Sequence, residues 1–274
     1  MAEILVPLTD TAGDEGAVDF AVQLARPNGG HLTIVQPVEL PLPSLGPWGD
    51  DPISQMRPSA MTAIGSASRK ARAVRRKLAT LDVPHAIEVE DGRTEAPLRA
   101  VARRARTVDY SVMACAGASA SERKHQHSIF SALIFESGRP VFAIPGTPFR
   151  SETIRRAIVA WSSTHESARA AHDFLQLGLQ CDVVVVTISE APDPDDSGKN
   201  FVENLHRRGH GGSFASVPKK EGSVAETLLS HAVEIGADLI VCGAYGHSQA
   251  REMLLGGTTR HLFDRTHIPT FFSR

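Results

Sequence analysis

A glycine-rich segment in the C-terminal half of the chain has the composition of a phosphate-binding loop. The segment Gly243-Ala244-Tyr245-Gly246-His247-Ser248 directly follows the apolar residues 239–242, and Gly256-Gly257-Thr258-Thr259 comes soon after it. Glycines allow the backbone to turn tightly and to approach a ligand, so that consecutive amides can bind phosphate oxygens. The same spacing is compatible with a plain turn, because Gly-x-x-Gly is a common pattern. The segment therefore predicts either a phosphate site or a turn.

Other groupings of reactive residues predict less. The pairs His125-x-His127 and His206-x3-His210 have spacings that suit metal ligands, but no cysteine or carboxylate completes a cluster in the sequence. The sequence contains neither the Gly-x-Ser-x-Gly pattern of serine hydrolases nor the Gly-x4-Gly-Lys-Ser/Thr pattern of P-loop proteins. We therefore expect no metal site and no catalytic residue of these classes.

The composition is that of an ordinary globular protein. Hydrophobic residues make up 42% of the 274 residues and charged residues 22%, with a formal net charge of −2. This balance excludes intrinsic disorder and predicts no binding to nucleic acid or membranes. The apolar residues 183–188 fall far short of the roughly 18 needed for a membrane span. Glu3 stands where a signal peptide would be positive, and the three cysteines form no Cys-x-x-Cys pair, so we expect a cytoplasmic protein.

Short apolar runs alternate with longer amphipathic segments along the whole chain. In the N-terminal half they predict strands at residues 4–9, 32–36, 84–89, 110–115 and 140–144, and helices at 14–26, 59–81, 95–106 and 126–136. In the C-terminal half they predict strands at 157–161, 183–188, 213–217, 239–242 and 268–272, and helices at 166–179, 202–208, 224–235 and 249–263. Strands separated by helices predict an α/β fold with doubly wound, mainly parallel sheets.

The two halves match each other and predict two tandem domains. Asp109-Tyr110-Ser111-Val112 corresponds to Asp238-Leu239-Ile240-Val241 at an offset of 129, and Leu5-Val6-Pro7-Leu8-Thr9 corresponds to Ile158-Val159-Ala160-Trp161-Ser162 at an offset of 153. The second copy is therefore 24 residues shorter, in the region of its second helix. Pro145-Gly146-Thr147-Pro148 interrupts strand and helix alike and is the expected linker. We expect domains at residues 1–146 and 151–274.

The spacing Gly243-x2-Gly246-x9-Gly256 resembles the nucleotide loop of the universal stress protein (UspA-like) family. The resemblance extends to Gly222-Ser223-Val224-Ala225-Glu226-Thr227-Leu228-Leu229 and Gly236-Ala237-Asp238-Leu239-Ile240-Val241, while residues 159–170 are similar to the family's opening strand and helix. It covers nearly the whole chain as a tandem pair. The resemblance implies a Rossmann-like, adenine nucleotide α-hydrolase-like fold and a site for AMP or for ATP, the latter with Mg²⁺.

The same resemblance implies which residues form the site in the C-terminal copy. Gly243 is expected near the ribose, and Trp161 and Ser162 near the adenine. The phosphates are expected to lie among the residues of the two glycine segments, namely Gly246, His247, Gly256, Gly257 and Thr258. Two positions depart from the family pattern. Gly257 stands where Ser or Thr usually follows the third glycine, and Ser162 stands where the first strand usually ends in Asp.

The N-terminal copy is expected to have a degenerate nucleotide loop. The offset of 129 places Ala114 opposite Gly243, Gly117 opposite Gly246, and His127-Ser128 opposite Gly256-Gly257. We expect the imidazole of His127 to fill the phosphate turn of this copy. The substitution Gly117→Val should then leave nucleotide affinity nearly unaltered, whereas Gly246→Val should weaken it through bulk and through any positive φ that the loop requires.

These observations predict a stress-response protein that binds ATP or AMP in its C-terminal domain in a regulatory role. One alternative is a nucleotide-free dimerising module in which both sites are defunct. Another, less expected, is an enzyme with weak ATP hydrolysis or adenylyl transfer. By the resemblance, the last strands of the two copies pair within the chain, as residues 140–144 and 268–272, and a homodimer stays open as an assembly.

Overall fold

The computed structural model describes residues 1–38, 52–91, 95–146, 153–189, 196–246 and 257–274. The N-terminal half consists of β1 (Glu3–Pro7), α1 (Asp14–Ala25), β2 (His31–Pro37), α2 (Pro52–Ala79), β3 (His85–Glu90), α3 (Pro97–Ala105), β4 (Tyr110–Cys115), α4 (Ala120–Glu136) and β5 (Val141–Pro145). The C-terminal half consists of β6 (Arg156–Ala160), α5 (His165–Gln176), β7 (Asp182–Ser189), α6 (Ser197–Arg207), β8 (Gly212–Pro218), α7 (Val224–Glu234), β9 (Leu239–Gly243), α8 (Gly257–Arg265) and β10 (Thr270–Ser273). Strands and helices alternate, which confirms the predicted α/β fold.

The strands form one ten-stranded sheet in the order β3-β2-β1-β4-β5-β10-β9-β6-β7-β8. Neighbouring strands are parallel throughout, except for the antiparallel pair β5 and β10. In this central pair Phe271 lies opposite Phe142, and the two ring centroids are 4.9 Å apart. The last strands of the two halves therefore pair within the chain, as expected from the sequence, and the pair lies at the centre of the sheet.

Helices cover both faces of the sheet, each over its own hydrophobic layer. Helices α1, α2, α5 and α6 pack on one face through side chains such as Phe20, Leu78 and Phe174. Helices α3, α4, α7 and α8 pack on the other face, where Phe130 and Phe263 are fully buried. Because both faces are covered, the central strands β4, β5 and β10 are buried along their whole length. None of the described helices combines the length and the apolar composition that crossing a membrane requires.

The two halves share two unusual backbone conformations at the ends of corresponding strands. Asp10 and Ser163, which correspond at the offset of 153, have φ values of 60° and 53°. Ala116 and Tyr245, which correspond at the offset of 129, have φ values of 55° and 57°. Left-handed φ values are uncommon outside glycine. The same pair of turns is therefore built twice, and the halves differ mainly in their second helix, which has 28 residues in α2 and 11 in α6.

Helices α2, α4 and α6 begin at least five residues earlier than the sequence predicted, α6 at Ser197 rather than at residue 202. Helix α2 already includes Pro52, whereas the sequence predicted its start at residue 59. Helix α4 begins at Ala120 rather than at residue 126, because Ser119 and Glu122 form a capping box with bonds of 3.0 and 3.1 Å. The linker residues Thr147 and Pro148 lie outside the described residues.

Candidate functional site

A cleft of about 330 Å³ opens at the carboxyl ends of β6 and β9. These strands are neighbours, but the chain runs from β6 outward to β7 and β8 and then returns to β9 and β10 on the other side. Ligands of open α/β sheets bind at such a switch point, because the loops that leave the two strands diverge there. The cleft is therefore the main candidate site of the C-terminal half.

One wall of the cleft is apolar and suits a flat organic ring. It is formed by strand ends and by the first turns of α7, and it contains Ala160, Val186, Ile188, Val224, Leu228 and Cys242. Burial raises the pKa of the Cys242 thiol to about 12. A thiol with this pKa is not ionised near neutral pH, so Cys242 acts as a small buried side chain and not as a nucleophile.

Trp161 and Ser162 line the cleft at the end of β6. The indole Nε1 of Trp161 donates to Ser197 Oγ at 2.8 Å, and its ring stacks on Phe201 with centroids 4.9 Å apart. The hydroxyl oxygens of Ser162 and Thr164 are 3.3 Å apart. Thr164 also caps α5. This edge of the cleft therefore combines a fixed aromatic ring with two hydroxyls beside a helix N-terminus.

The loop after β9 approaches α5 more closely than a side chain would allow. A Cβ on Gly243 would lie 2.6 Å from the carbonyl carbon of Glu166. A Cβ on Gly246 would lie 3.2 Å from Glu166 Oε2 and 3.6 Å from Thr164 Oγ1. Gly246 does not have a positive φ, and the left-handed residue of the loop is Tyr245. The positive φ that the loop requires is therefore at Tyr245 rather than at Gly246, and Gly243 is the glycine that the close backbone contact requires.

Tyr245 fixes the loop from two sides. Its backbone N–H donates to Thr259 Oγ1 of α8 at 3.2 Å. Its ring packs against Phe135 and Phe130 of α4, with centroids 4.7 and 6.4 Å away. Burial raises the pKa of the Tyr245 hydroxyl. The N-terminal half therefore supports the cleft of the C-terminal half, a contact that sequence reasoning missed because α4 lies more than a hundred residues away.

Glu166 also lines the cleft and was not among the predicted site residues. It is the second residue of α5 and is only 4% exposed. Its Oε1 is 2.6 Å from His165 Nε2, while Oε2 is buried without a hydrogen-bond partner in the described part of the chain. A carboxylate in a first turn is favoured by the helix dipole. A buried oxygen without a donor is nevertheless costly, and this one faces Gly246.

Gly257 and Thr258 begin α8 and line the cleft, where the sequence predicted phosphate contacts. The N-terminus of a helix attracts anions through its free amides and partial positive charge. No lysine, arginine or histidine is among the lining residues within the described ranges. The structure thus brings Trp161, Ser162, Gly243, Gly246, Gly257 and Thr258 to one cleft. The predicted residues His247 and Gly256 lie outside the described residues.

In the N-terminal half, the turn that corresponds to the glycine loop is filled by Gln126. This side chain is fully buried, and its Oε1 accepts a hydrogen bond from the Gly117 N–H at 2.9 Å. Its Nε2 lies 3.3 Å from Thr11 Oγ1 and 3.5 Å from Thr9 Oγ1. The side-chain oxygen of Gln126 is thus hydrogen-bonded to the Gly117 N–H, which is then not free to bind a phosphate oxygen.

His127 does not fill this turn, so that expectation is wrong. Its Nε2 lies 2.8 Å from Asp264 Oδ1 of α8, and its ring packs on Phe263 with centroids 4.8 Å apart. Because consecutive helical residues point about 100° apart, Gln126 faces the turn while His127 faces the other half. His127 therefore contributes to the contact between the halves.

The histidine pairs that the sequence singled out do not form a metal site. His206 Nε2 is 2.8 Å from the carbonyl oxygen of Gly212. Within the described residues, no three His, Cys, Asp or Glu side chains are grouped in a way that could hold a metal ion. Cys115, Cys181 and Cys242 are free.

Comparisons with known proteins agree with this fold. The model of the universal stress protein family matches residues 153–274. A universal stress protein from Archaeoglobus fulgidus DSM 4304 is 15% identical with a TM-score of 0.68, and the match covers 100% of this chain and 96% of that one. A candidate universal stress protein from Pseudomonas aeruginosa UCBPP-PA14 is 12% identical with a TM-score of 0.59, and the match covers 100% and 93%. None of the curated proteins matches the chain in sequence.

The family match falls on the half that contains the cleft, and the structural matches extend over both halves. At these identities the structural matches establish the fold alone. Residues 153–274 match the universal stress protein family, and both halves together have the fold of full-length proteins that carry this name.

Proposed function

We propose that this protein acts in the stress response as a cytoplasmic, regulatory protein that binds ATP or AMP in the cleft of its C-terminal half. The observation that carries the proposal is the position of the cleft. It lies at the switch point of the sheet, inside the part of the chain that matches the universal stress protein family. The strand order alone would favour a ligand at this place.

The walls of the cleft suit the parts of an adenine nucleotide. The apolar wall around Val186 and Leu228 fits a base, and the hydroxyl of Ser162 is placed to bond its edge. Gly243 lets the end of β9 pack on the backbone of α5, and Gly246 has no side chain that would cover the loop backbone, so that a sugar and phosphates can approach it. The first amides of α8, from Gly257, would bind phosphate oxygens.

We propose that the two halves, residues 1–146 and 151–274, are unequal domains, with the N-terminal one in a structural role. Gln126 saturates its phosphate turn, and α4 holds Tyr245 of the binding loop. Binding of one nucleotide per chain is therefore expected. No catalytic residue is assigned, because the one carboxylate among the described lining residues, Glu166, is held beside the loop backbone.

The main alternative is an interaction module that binds no nucleotide and acts through dimerisation. The buried, unpartnered Oε2 of Glu166 favours this alternative, because a negative charge beside Gly246 repels phosphate. Adenylyl transfer is less favoured, since it needs a pocket for an acceptor substrate and the sequence shows no pattern that indicates one.

The two functions are distinguished by the nucleotide content of the protein. Freshly purified protein is denatured, and the released small molecules are identified by mass spectrometry. ATP is then titrated calorimetrically, with Mg²⁺, into protein freed of nucleotide. A released adenine nucleotide or a titration with one site per chain supports the proposal. If no nucleotide is released and neither ATP nor AMP gives a heat of binding, the proposal is rejected and the interaction module remains.

A further inference from the structure

Glu166 brings a negative charge to the part of the cleft where phosphates would lie. Glu166 lines the cleft, and its Oε2 is 3.2 Å from the place that a Cβ on Gly246 would take. The side chain is 5% exposed, so water screens its charge poorly. A phosphate group brought close to this carboxylate would be repelled more strongly than in solution.

The described residues that line the cleft offer little positive charge to offset that of Glu166. The lining residues that the structure describes include no lysine, arginine or histidine. His165 pairs with Oε1 only, and its side chain is 90% exposed. Oε2 accepts no hydrogen bond from the described part of the protein. The oxygen that faces Gly246 is therefore placed to receive a cation that arrives with a ligand.

Magnesium suits this position chemically. Mg²⁺ prefers oxygen ligands, and proteins usually hold it through one or two carboxylates together with the phosphates of a nucleotide. The described ranges contain no group of three or more side chains that could hold a metal ion alone. A cation at Glu166 would therefore depend on phosphate oxygens for most of its ligands.

Resting on the function proposed above, we propose that the cleft takes its nucleotide as the magnesium complex, with Oε2 of Glu166 facing the cation. The carboxylate then selects among the forms of the nucleotide. Free ATP is disfavoured by repulsion, Mg²⁺ without nucleotide is not retained, and the two bind together because each offsets the charge of the other.

Calorimetric titration of the full chain tests this proposal. ATP is titrated with saturating Mg²⁺ and with excess EDTA, and Mg²⁺ is titrated alone. For the wild type we expect at least about tenfold tighter ATP binding with Mg²⁺ than without, and no binding of Mg²⁺ alone. Glu166→Gln removes the charge with almost no change in size and should bind free ATP more tightly than the wild type, with less than about twofold dependence on Mg²⁺.

Two variants control for folding and for general charge. Glu203→Gln removes a charge from a 65% exposed residue of α6 and should behave as the wild type. Glu166→Asp keeps the charge and should keep the dependence on Mg²⁺. Thermal unfolding of each variant verifies that it is folded. If Glu166→Gln is not folded, the comparison of wild-type ATP affinity with and without Mg²⁺ still tests the proposal.

Each result decides between the two proposals. Equal ATP affinity with and without Mg²⁺ in the wild type overturns the role of Glu166 and leaves nucleotide binding intact. An unchanged dependence on Mg²⁺ in folded Glu166→Gln also overturns it, because the cation would then contact phosphates alone. Absence of ATP binding under both conditions overturns the proposed function, and the magnesium proposal with it.

Discussion

Ala114 occupies the space that a side chain on Gly13 would need. A Cβ built on Gly13 would lie 3.0 Å from the Cβ of Ala114, which is tighter than most such contacts in proteins. In the C-terminal half the equivalent residues are Glu166, on the helix, and Gly243, on the strand. There the glycine is on the strand, and a Cβ on it would meet the backbone of α5 at 2.6 Å. The contact between strand end and helix start has room for one side chain, and the two halves place it on opposite partners.

This relationship predicts that Gly13→Ala destabilises the protein and that Ala114→Gly restores it. The single variant overpacks a buried contact, which costs about 1–3 kcal/mol of unfolding free energy. The double variant Gly13→Ala with Ala114→Gly moves the side chain to the helix, as in the C-terminal half, and should recover most of the loss. Urea denaturation of the wild type, the two single variants and the double variant measures the coupling free energy between the two positions.

Gly16→Ala is the matched control for this cycle, since a Cβ on Gly16 would meet nothing within 4 Å. This substitution should stabilise α1 by about 0.5–1 kcal/mol, as glycine is a poor helix former. If the Gly13→Ala variant is as stable as the wild type, the contact between position 13 and Ala114 relaxes without loss of unfolding free energy, and the predicted overpacking does not occur.

Gly246→Val should weaken nucleotide binding by at least about one order of magnitude, roughly 1.4 kcal/mol. The new side chain would begin 3.2 Å from Glu166 Oε2 and extend into the cleft. Calorimetric titration of ATP with Mg²⁺ measures the loss. If the folded variant binds ATP with unchanged affinity, the loop around Gly246 is not part of the nucleotide site.

Gly211→Val is the control for this substitution, because a Cβ on Gly211 would meet nothing within 4 Å. The corresponding glycine of the first copy is a poorer choice than its sequence suggested. A Cβ on Gly117 would lie 2.8 Å from Gln126 Oε1 and from Glu122 Cβ, so Gly117→Val should lower stability. Its effect on nucleotide affinity should still be small.

Gln126→Leu should lower the stability of the protein without changing nucleotide affinity. Leucine is similar in size but leaves the Gly117 N–H without its acceptor, and an unpaired buried donor costs about 1–3 kcal/mol. Chemical denaturation and ATP titration give the two readouts. Gln180→Leu, at an exposed position, serves as the control. A second nucleotide bound by Gln126→Leu would contradict the structural role of the first half.

Asp14 should make stability fall as the pH rises from acid toward neutral. Burial raises the pKa of its carboxyl above the ordinary value of 3.8, against hydrogen bonds from the Thr9 N–H and hydroxyl that lower it. The native state therefore holds this proton more tightly than the unfolded state, and stability is lost once the pH exceeds 3.8.

The variant Asp14→Asn removes this titration while it keeps an oxygen for the Thr9 N–H. The difference in unfolding free energy, variant minus wild type, should therefore increase with pH, and denaturation curves recorded between acid and neutral pH measure it. A difference that stays constant, or decreases, over this range would mean that the pKa of Asp14 is not raised.

The alternation of strands and helices could be predicted from the sequence because both faces of the sheet are covered. Strands such as β9 are apolar at successive positions, and the capping residues Ser223 and Glu226 mark the start of α7 where the sequence placed it. The start of α4 was missed because the same type of cap, Ser119 and Glu122, precedes a polar first turn without apolar periodicity.

The composition of the site was harder to predict, because burial of its polar side chains depends on distant contacts. Glu166 follows a capping threonine and has the pattern of an exposed first-turn carboxylate. It is buried because Gly243, far along the chain, lets β9 approach α5. Gln126 is likewise an ordinary helical residue in sequence, and its partner Thr9 lies 117 residues away. Glycine spacing located the loop, but it could not identify these partners.

The position of β10 has a consequence for the order in which the protein is made. This strand lies between β5 and β9. Until residues 270–273 have left the ribosome, β5 is therefore an apolar edge strand of the N-terminal half with one side unpaired. Exposed strand borders recruit other chains. A nascent chain that stalls before these residues would contain all nine earlier strands and still display the backbone of Val141 and Phe142 to chaperones or to its neighbours on the polysome.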